Sequence, residues 1–248
     1  HFVTGAKSHI ALAGPANKQG RIAADHICGR RSAYTGALGT SVLKLFDLTA
    51  ASTGLNEKQA RAAGVAYDKV VTYSASHASY YPGARNMTVK TLFDPASGRI
   101  LGAQIVGFDG VDKRMDVLAA AIRAGLTAEQ LTELDLAYAP PYGSAKDPVN
   151  MAGYVIENVR AGLVEQHHWD AVAELPADGS VILLDVRTPG EVRKQGLLRS
   201  DALHIPLDEL RGRLGELDKG KKIYVNCYSG LRSYLACRIL TAYGFDCY

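Results

Sequence analysis

The stretch Lys222-Ile223-Tyr224-Val225-Asn226-Cys227-Tyr228-Ser229-Gly230-Leu231-Arg232-Ser233 decides the fold of the C-terminal third of the chain. Its first five residues are mostly apolar and predict a buried strand, and the residues from Leu231 to Ala242 have a helical pattern. The short segment between strand and helix would point backbone N–H groups, and the positive end of the helix dipole, at the sulfur of Cys227. Such surroundings favour the thiolate, which is the nucleophilic form of cysteine. The stretch therefore predicts a cradle for an anionic sulfur species or an oxyanion.

A second interpretation of Cys227 has to be weighed against this one. A single cysteine at the end of a strand is more often a small buried hydrophobe than a nucleophile. The presence of Gly230 and Arg232 in the same loop favours the nucleophile.

The loop and the residues before it resemble the rhodanese family, in which a cysteine carries sulfane sulfur as a persulfide. Four residues separate Cys227 from Arg232, whereas protein tyrosine phosphatases have five. Residues 181–191, with Asp185-Val186-Arg187, are similar to the first rhodanese strand and its signature, and residues 203–210 are similar to the next strand and helix start. One departure is residues 196–199, which lack the histidine of the family's usual Gly-His-Ile run.

The rhodanese resemblance covers about residues 168–248 and implies a role for each residue of the loop. The persulfide loop would consist of Cys227, Tyr228, Ser229, Gly230, Leu231 and Arg232. Arg232 would brace the loop and add positive potential, while Asp185 and Arg187 would be structural supports.

Composition limits the class of protein and its partners. The chain has 248 residues and an apolar fraction of 47%, which fits one large or two ordinary globular domains. Its net charge of +3 gives no argument for nucleic acid or an anionic membrane as a partner, and no apolar stretch is long enough for a membrane span. The four cysteines form no Cys-x-x-Cys pair and no zinc spacing, so we expect no metal site and a reducing, cytoplasmic compartment.

The region before the rhodanese-like part mixes strands and helices without strict alternation. Asn56 and Thr127 are suitable helix N-caps, Pro15 suits a first helical turn, Gly29 suits a helix end, and residues 94–98 suit a hairpin turn. Strand-like runs occupy residues 41–46, 69–73, 87–93 and 100–106, and helical patterns occupy residues 15–28, 56–63, 111–124, 127–134 and 148–161. The pattern predicts an α+β domain with helices on an antiparallel sheet, followed by an α/β domain with a parallel sheet.

The segment from Leu12 to Arg21 resembles the end of the FAD domain in pyridine nucleotide–disulfide oxidoreductases, with Ala11 where that family often has proline. In that family the helix directs its N-terminus at the flavin pyrimidine ring. The resemblance therefore implies FAD contacts through the backbone of Leu12, Ala13 and Gly14. Peptide N–H groups and the helix dipole would stabilise negative charge on a reduced flavin.

Residues 78–84 and 138–150 resemble the dimerisation domain of the same family, and the closest group is that of the coenzyme A disulfide reductases and NADH oxidases. In coenzyme A disulfide reductases two tyrosines of the partner subunit reach the active-site sulfur, and they correspond to Tyr80 and Tyr138. A phenol could donate a hydrogen bond to a departing thiolate. Packing at a subunit interface, where tyrosine is common, is the alternative role for both residues.

Together the resemblances imply the C-terminal portion of a coenzyme A disulfide reductase–rhodanese fusion, as in coenzyme A persulfide and polysulfide reductases. The expected domains are residues 1–30 (end of the FAD domain), 31–165 (dimerisation) and 166–248 (a C-terminally clipped rhodanese domain). No Gly-x-Gly-x-x-Gly motif follows a strand, and the family's N-terminal redox cysteine has no counterpart. The resemblance implies a homodimer whose parent enzyme uses FAD, NADH and coenzyme A.

Three other functions remain open at this point. The rhodanese-like domain could be a free-standing thiosulfate sulfurtransferase, or it could regulate a reductase that acts only on coenzyme A disulfide. It could also be an inert docking module in a protein whose central domain serves only to dimerise.

Overall fold

The computed structural model describes residues 1–248 and divides the chain into two compact units, His1–Glu157 and Asn158–Tyr248. The division lies inside the last helix of the first unit. Sequence patterns predict domain boundaries after residues 30 and 165, and those boundaries stay a prediction.

The first unit is an antiparallel sheet with helices, as predicted. Its five strands are ordered β1-β2-β5-β4-β3, and every neighbouring pair is antiparallel. The strands are β1 Ser41–Leu45, β2 Leu48–Gly54, β3 Asp68–Ala75, β4 Asn86–Phe93 and β5 Ile100–Gly107. The helices are α1 Ala13–Ile27, α2 Glu57–Ala62, α3 Val111–Ala124, α4 Ala128–Thr132 and α5 Pro148–Arg160.

Local sequence explains where the helices begin. Asn56 and Thr127 cap α2 and α4, and each forms a reciprocal capping box with the glutamine three residues later. The helix α1 ends before Gly29, whose φ of 75° is left-handed. The prediction of helices at these places is confirmed, although α4 is two residues shorter than the predicted pattern at its C-terminal end.

The strand β2 is absent from the predicted elements. It forms a tight hairpin with β1 through Phe46, which has a positive φ of 52°, and pairs on its other side with β5. The helix α3 lies against β2 and β5, so β2 is part of the surface on which the main helix packs.

The second unit is built on a parallel sheet, which confirms the predicted fold class. Its strands are ordered β7-β6-β8, and both pairs are parallel. The elements are β6 Val181–Asp185, α6 Pro189–Gln195, β7 Leu203–His204, β8 Lys222–Asn226 and α7 Leu231–Ala242, with 3₁₀ turns at Trp169–Glu174, Leu210–Gly212 and Leu214–Glu216. The carboxyl ends of the three strands share one edge, and the loop that begins with Cys227 leaves from that edge.

No helix combines the length and the apolar character that a membrane crossing requires.

Candidate functional site

The sulfur of Cys227 lies at the end of β8 in a polar cradle. The backbone N–H of Gly230 donates to Cys227 Sγ at 3.1 Å, and Ser233 Oγ is 3.5 Å from the same sulfur. Gly230 has a φ of 94°, a conformation that glycine adopts without strain, and it immediately precedes the first residue of α7. The predicted strand–loop–helix geometry is therefore present.

The environment of Cys227 favours its thiolate. Burial by itself raises the pKa of the thiol, but the hydrogen bond that the thiol shares with the Ser233 side chain and those from the N–H groups of Ser233, Ser229 and Gly230 outweigh it. The pKa of Cys227 therefore lies below its ordinary value. A thiol that is partly accessible and more acidic than usual is a competent nucleophile.

Arg232 is held by a carboxylate that the sequence analysis did not single out. Its Nη1 and Nη2 donate to Glu191 Oε2 and Oε1 at 2.6 and 2.7 Å, a bidentate pair. Glu191 also accepts from the N–H and hydroxyl of Thr188, at 2.9 and 2.8 Å, and so belongs to the capping box of α6. These contacts hold the pKa of Glu191 well below its usual range.

The ion pair of Glu191 ties the persulfide loop to α6 and offsets part of the positive charge of Arg232. The capping pattern Thr188-Pro189-Gly190-Glu191 is readable in the sequence, but its connection to Arg232 depends on the tertiary fold.

Asp185 and Arg187 form a buried support below the loop. Arg187 Nη2 is 2.6 Å from Asp185 Oδ2, and Arg187 Nε lies 3.0 Å from both carboxylate oxygens. Burial raises the pKa of Asp185, but the hydrogen bonds of Arg187 more than offset this effect, so the pKa is lowered. Arg187 also donates to Gln195 Oε1 and to the Gly196 carbonyl, which fixes the end of α6.

The other cysteines have different surroundings. Cys28 is exposed, whereas Cys237 and Cys247 are buried in the core of the second unit, and none of the four is in a disulfide. The two buried thiols interact, which lowers the pKa of Cys247 to about 7 and raises that of Cys237. Cys227 differs from all three because it combines partial exposure with a loop that donates to its sulfur.

Tyr80 and Tyr138, which the family resemblance assigns to one site, lie together in the structure. Their hydroxyl oxygens are 3.0 Å apart, although the residues are separated by 58 positions. Both side chains are solvent-exposed, Tyr80 by 75% and Tyr138 by 48%. Their hydrogen bond raises the pKa of Tyr138. The pair therefore projects two phenols from the surface of the first unit.

A buried ion pair connects the loops that carry the two tyrosines. The sequence analysis does not predict this pair. Arg114 on α3 is 1% exposed and Asp147 is 3% exposed, and Arg114 Nη2 lies 2.9 Å from Asp147 Oδ2. Asp147 Oδ1 accepts the N–H of Val149 in the first turn of α5. An aspartate directly before Pro148 is a helix-start signal, but its arginine partner is 33 residues away.

The N-terminus of α1 fits the interaction expected of it. Leu12 precedes the helix in an extended conformation, no side chain caps the first turn, and that turn contains no acidic residue. A cavity of about 540 Å³ is lined by Leu12 and Gly14 together with the cations Lys18, Arg21 and Arg123. An electron-rich ring or an anion is the partner that this arrangement suits.

Comparisons with known protein families identify both units. Residues 40–148 match the dimerisation domain of the pyridine nucleotide-disulphide oxidoreductases, and residues 168–248 match the rhodanese-like domain. Coenzyme A disulfide reductase of Staphylococcus haemolyticus is 40% identical over 148 residues, which are 59% of this chain and 33% of that protein.

Two solved structures resemble the whole chain. The reduced CoADR-RHD of Bacillus anthracis is 48% identical with a TM-score of 0.94, over 99% of this chain and 44% of that one. A NAD-dependent persulfide reductase from A. fulgidus is 42% identical with a TM-score of 0.87, with the same coverage of both chains. The chain thus spans about a third of the curated relatives that it matches. The chain therefore contains a dimerisation domain of the pyridine nucleotide–disulphide oxidoreductase type and a rhodanese-like domain, and it resembles the C-terminal portion of a coenzyme A disulfide reductase–rhodanese fusion.

Proposed function

We propose that this chain is the sulfur-carrying and dimerising portion of an NADH- and FAD-dependent reductase of coenzyme A persulfide, coenzyme A disulfide or polysulfide. The observation that carries the proposal is the cradle of Cys227, in which a partly buried thiol of lowered pKa accepts a backbone N–H at 3.1 Å. The similarity to a persulfide reductase over 99% of the chain supports the same substrate class.

In the proposed first step the Cys227 thiolate attacks the terminal sulfur of a persulfide. A bond forms between the two sulfurs, the bond between the terminal sulfur and its carrier breaks, and the carrier leaves as a thiolate. Sulfur–sulfur bonds are conserved in number, so the step needs no external oxidant or reductant. The N–H of Gly230 then donates to the bound sulfur, and Arg232, braced by Glu191, keeps the loop in place.

The distribution of charge favours persulfide over thiosulfate as donor. Arg232 is the only cation among the six loop residues, and its charge is shared with Glu191. The exposed loop side chains Tyr228 and Leu231 are uncharged. Thiosulfate is a dianion, and this loop offers little positive charge to attract it. A persulfide group carries at most one negative charge, so its binding depends less on electrostatic attraction.

We assign Tyr80 and Tyr138 to the partner subunit's reductive site in a homodimer. Their exposed, hydrogen-bonded hydroxyls could donate a proton to a departing coenzyme A thiolate. The sequence resemblance and the match of residues 40–148 to a dimerisation domain support this assignment.

We further propose that the backbone of Leu12, Ala13 and Gly14 lies against the flavin ring, since no side chain caps the first turn of α1. When bound, FAD would supply electrons taken from NADH. The four free cysteines favour a reducing compartment such as the cytoplasm.

The test is the Cys227→Ser variant of this chain, exposed briefly to polysulfide and analysed by intact mass and peptide mapping. In the unmodified chain we expect a gain of one sulfur confined to Cys227 and reversed by a thiol. Cys227→Ser should lose that gain while keeping its fold, and Cys237→Ser is the control because its thiol is buried. Sulfur spread over all four cysteines, or absent, would contradict the proposal.

The thiosulfate sulfurtransferase alternative has its own test. Substantial thiosulfate:cyanide sulfur transfer by this chain would favour it. If Cys227 is alkylated no faster than Cys28, the inert docking module is favoured instead.

A further inference from the structure

Arg114 and Asp147 form a buried ion pair that takes no part in the proposed sulfur chemistry. Two charged side chains that are 2% and 4% exposed are costly to bury unless each is fully paired. Buried ion pairs often add no net stability over well-packed apolar residues, so the contacts of this pair are the guide to its role.

The guanidinium of Arg114 contacts both loops that bear the exposed tyrosines. Its Nη2 donates to the carbonyl of Ser76 at 2.9 Å, at the start of the loop that carries Tyr80. The same nitrogen, together with Nε, donates to Asp147 at 2.9 and 3.1 Å, at the end of the loop that carries Tyr138.

The two loops are also joined directly. The N–H of Ala78 donates to the carbonyl of Gly143 at 2.8 Å, and the carbonyl of Tyr142 lies 3.5 Å from Arg114 Nη2. Arg114 therefore contacts both loops at a junction where they are joined by a backbone hydrogen bond. The same two loops carry Tyr80 and Tyr138, whose hydroxyl oxygens are 3.0 Å apart.

The guanidinium of Arg114 has room because residue 110 is a glycine. Gly110 has a φ of 67°, and a Cβ at this position would come within 2.1 Å of Arg114 Nη1. That nitrogen donates to the Gly110 carbonyl at 3.3 Å. A side chain at position 110 would thus be strained by the positive φ and would force Arg114 Nη1 to shift.

We propose that Arg114 is a positioning residue that, through Asp147 and the Ser76 carbonyl, sets the spacing of the Tyr80 and Tyr138 hydroxyls. A planar fork fixes two loops in one geometry, which a single ammonium group cannot do. The inference rests on the proposed role of the tyrosines, but the geometric coupling can be measured without turnover.

The measurement is the pKa of Tyr138, read by NMR titration of this chain labelled with ¹³C at the tyrosine ζ carbon. Tyr80→Phe and Tyr138→Phe assign the signals, and Tyr80→Phe should by itself return the Tyr138 pKa toward its ordinary value of about 10. Arg114→Lys keeps the buried charge but loses the fork, so we expect the same downward shift. Asp147→Asn, which keeps an acceptor for the Val149 N–H, should shift it in the same direction.

The matched control is Leu118→Ala, a buried residue one turn further along α3. It should lower Tm without moving the Tyr138 pKa. An unchanged Tyr138 pKa in folded Arg114→Lys and Asp147→Asn would overturn the inference, and so would an equal shift in Leu118→Ala. If Arg114→Lys does not fold, Asp147→Asn decides the question. Failure of the proposed sulfur chemistry would leave these results unaffected, because none of them depends on activity.

Discussion

The chemistry of Cys227 depends on a balance between two opposed effects at one atom. Partial burial removes water from the sulfur and disfavours the thiolate, while donors from Ser233 and Gly230 favour it. The donors prevail because the loop turns its N–H groups inward and because α7 begins one residue after Gly230. Arg232 stabilises the thiolate less than its full positive charge would, because Glu191 binds both of its terminal nitrogens.

This balance predicts the effect of Glu191→Gln. Glutamine keeps one acceptor for Arg232, so the loop stays tethered, but the negative charge that offsets the guanidinium is removed. We expect the pKa of Cys227 to fall further, with alkylation about threefold faster at pH values below that pKa. The rate of iodoacetamide alkylation as a function of pH measures it.

The matched control for Glu191→Gln is Glu209→Gln. Glu209 pairs with Arg213 in the same unit at 2.8 Å and belongs to neither the loop nor α6. It should leave the alkylation profile of Cys227 unchanged. A higher Cys227 pKa in Glu191→Gln would mean that Glu191 serves to hold the loop shut rather than to moderate its charge.

Among the secondary-structure elements, those with strong local signals were predictable. Residues close in sequence determine three of these features. They are the caps Asn56 and Thr127, the hairpin of β4 and β5, and the strand–loop–helix that contains Cys227. The strand β2 is not predicted, because three of its seven residues are alanine or glycine, which are depleted in strands.

Tertiary context forces β2 into the sheet. A Cβ on Gly54 or Gly102 would lie 2.3 and 1.9 Å from backbone atoms of the neighbouring segment, so only glycine allows these strands to approach. The Glu191–Arg232 and Arg114–Asp147 contacts are not predicted from local sequence, because each joins residues more than 30 positions apart. Tyr80 and Tyr138 are 58 positions apart, and only the family resemblance assigns them to one site.

Glu57, in the first turn of α2, predicts how the stability of the fold changes at low pH. Burial raises the pKa of Glu57, but hydrogen bonds and charge from Lys90 and Lys69 lower it to about 2. Because the pKa in the folded state is below that of the unfolded chain, near 4.5, this carboxylate stabilises the fold fully above about pH 4.5. The stabilisation is lost progressively as the pH falls toward 2.

We therefore expect Glu57→Gln to lose about 2 kcal/mol of unfolding free energy at pH 7, where it removes charged hydrogen bonds to Lys69 and Lys90. The loss should shrink as the pH falls from 5 to 3. Urea unfolding at pH 7, 5 and 3 measures it, with Glu209→Gln as an exposed control. A pH-independent difference would show that the ion cluster contributes through packing instead.

At the scale of the whole molecule, the groups proposed to take part in the chemistry lie in separate compact units of one chain. Cys227 is in the second unit, and the surface phenols of Tyr80 and Tyr138 are in the first. Residues 40–148 match a dimerisation domain, so the first unit offers a surface for association with a second copy of the chain.

The last prediction concerns that association. Sedimentation equilibrium should give twice the chain mass of 26.5 kDa. Tyr142 is 72% exposed in the loop that carries Tyr138, and a tyrosine that becomes buried at a subunit contact is a frequent hot spot. Tyr142→Ala should therefore weaken the dimer about tenfold, whereas Tyr243→Ala, an exposed tyrosine of the second unit, should not. A monomer at all concentrations would count against a dimerising role for residues 31–165, and with it against the tyrosine pair acting on a partner subunit.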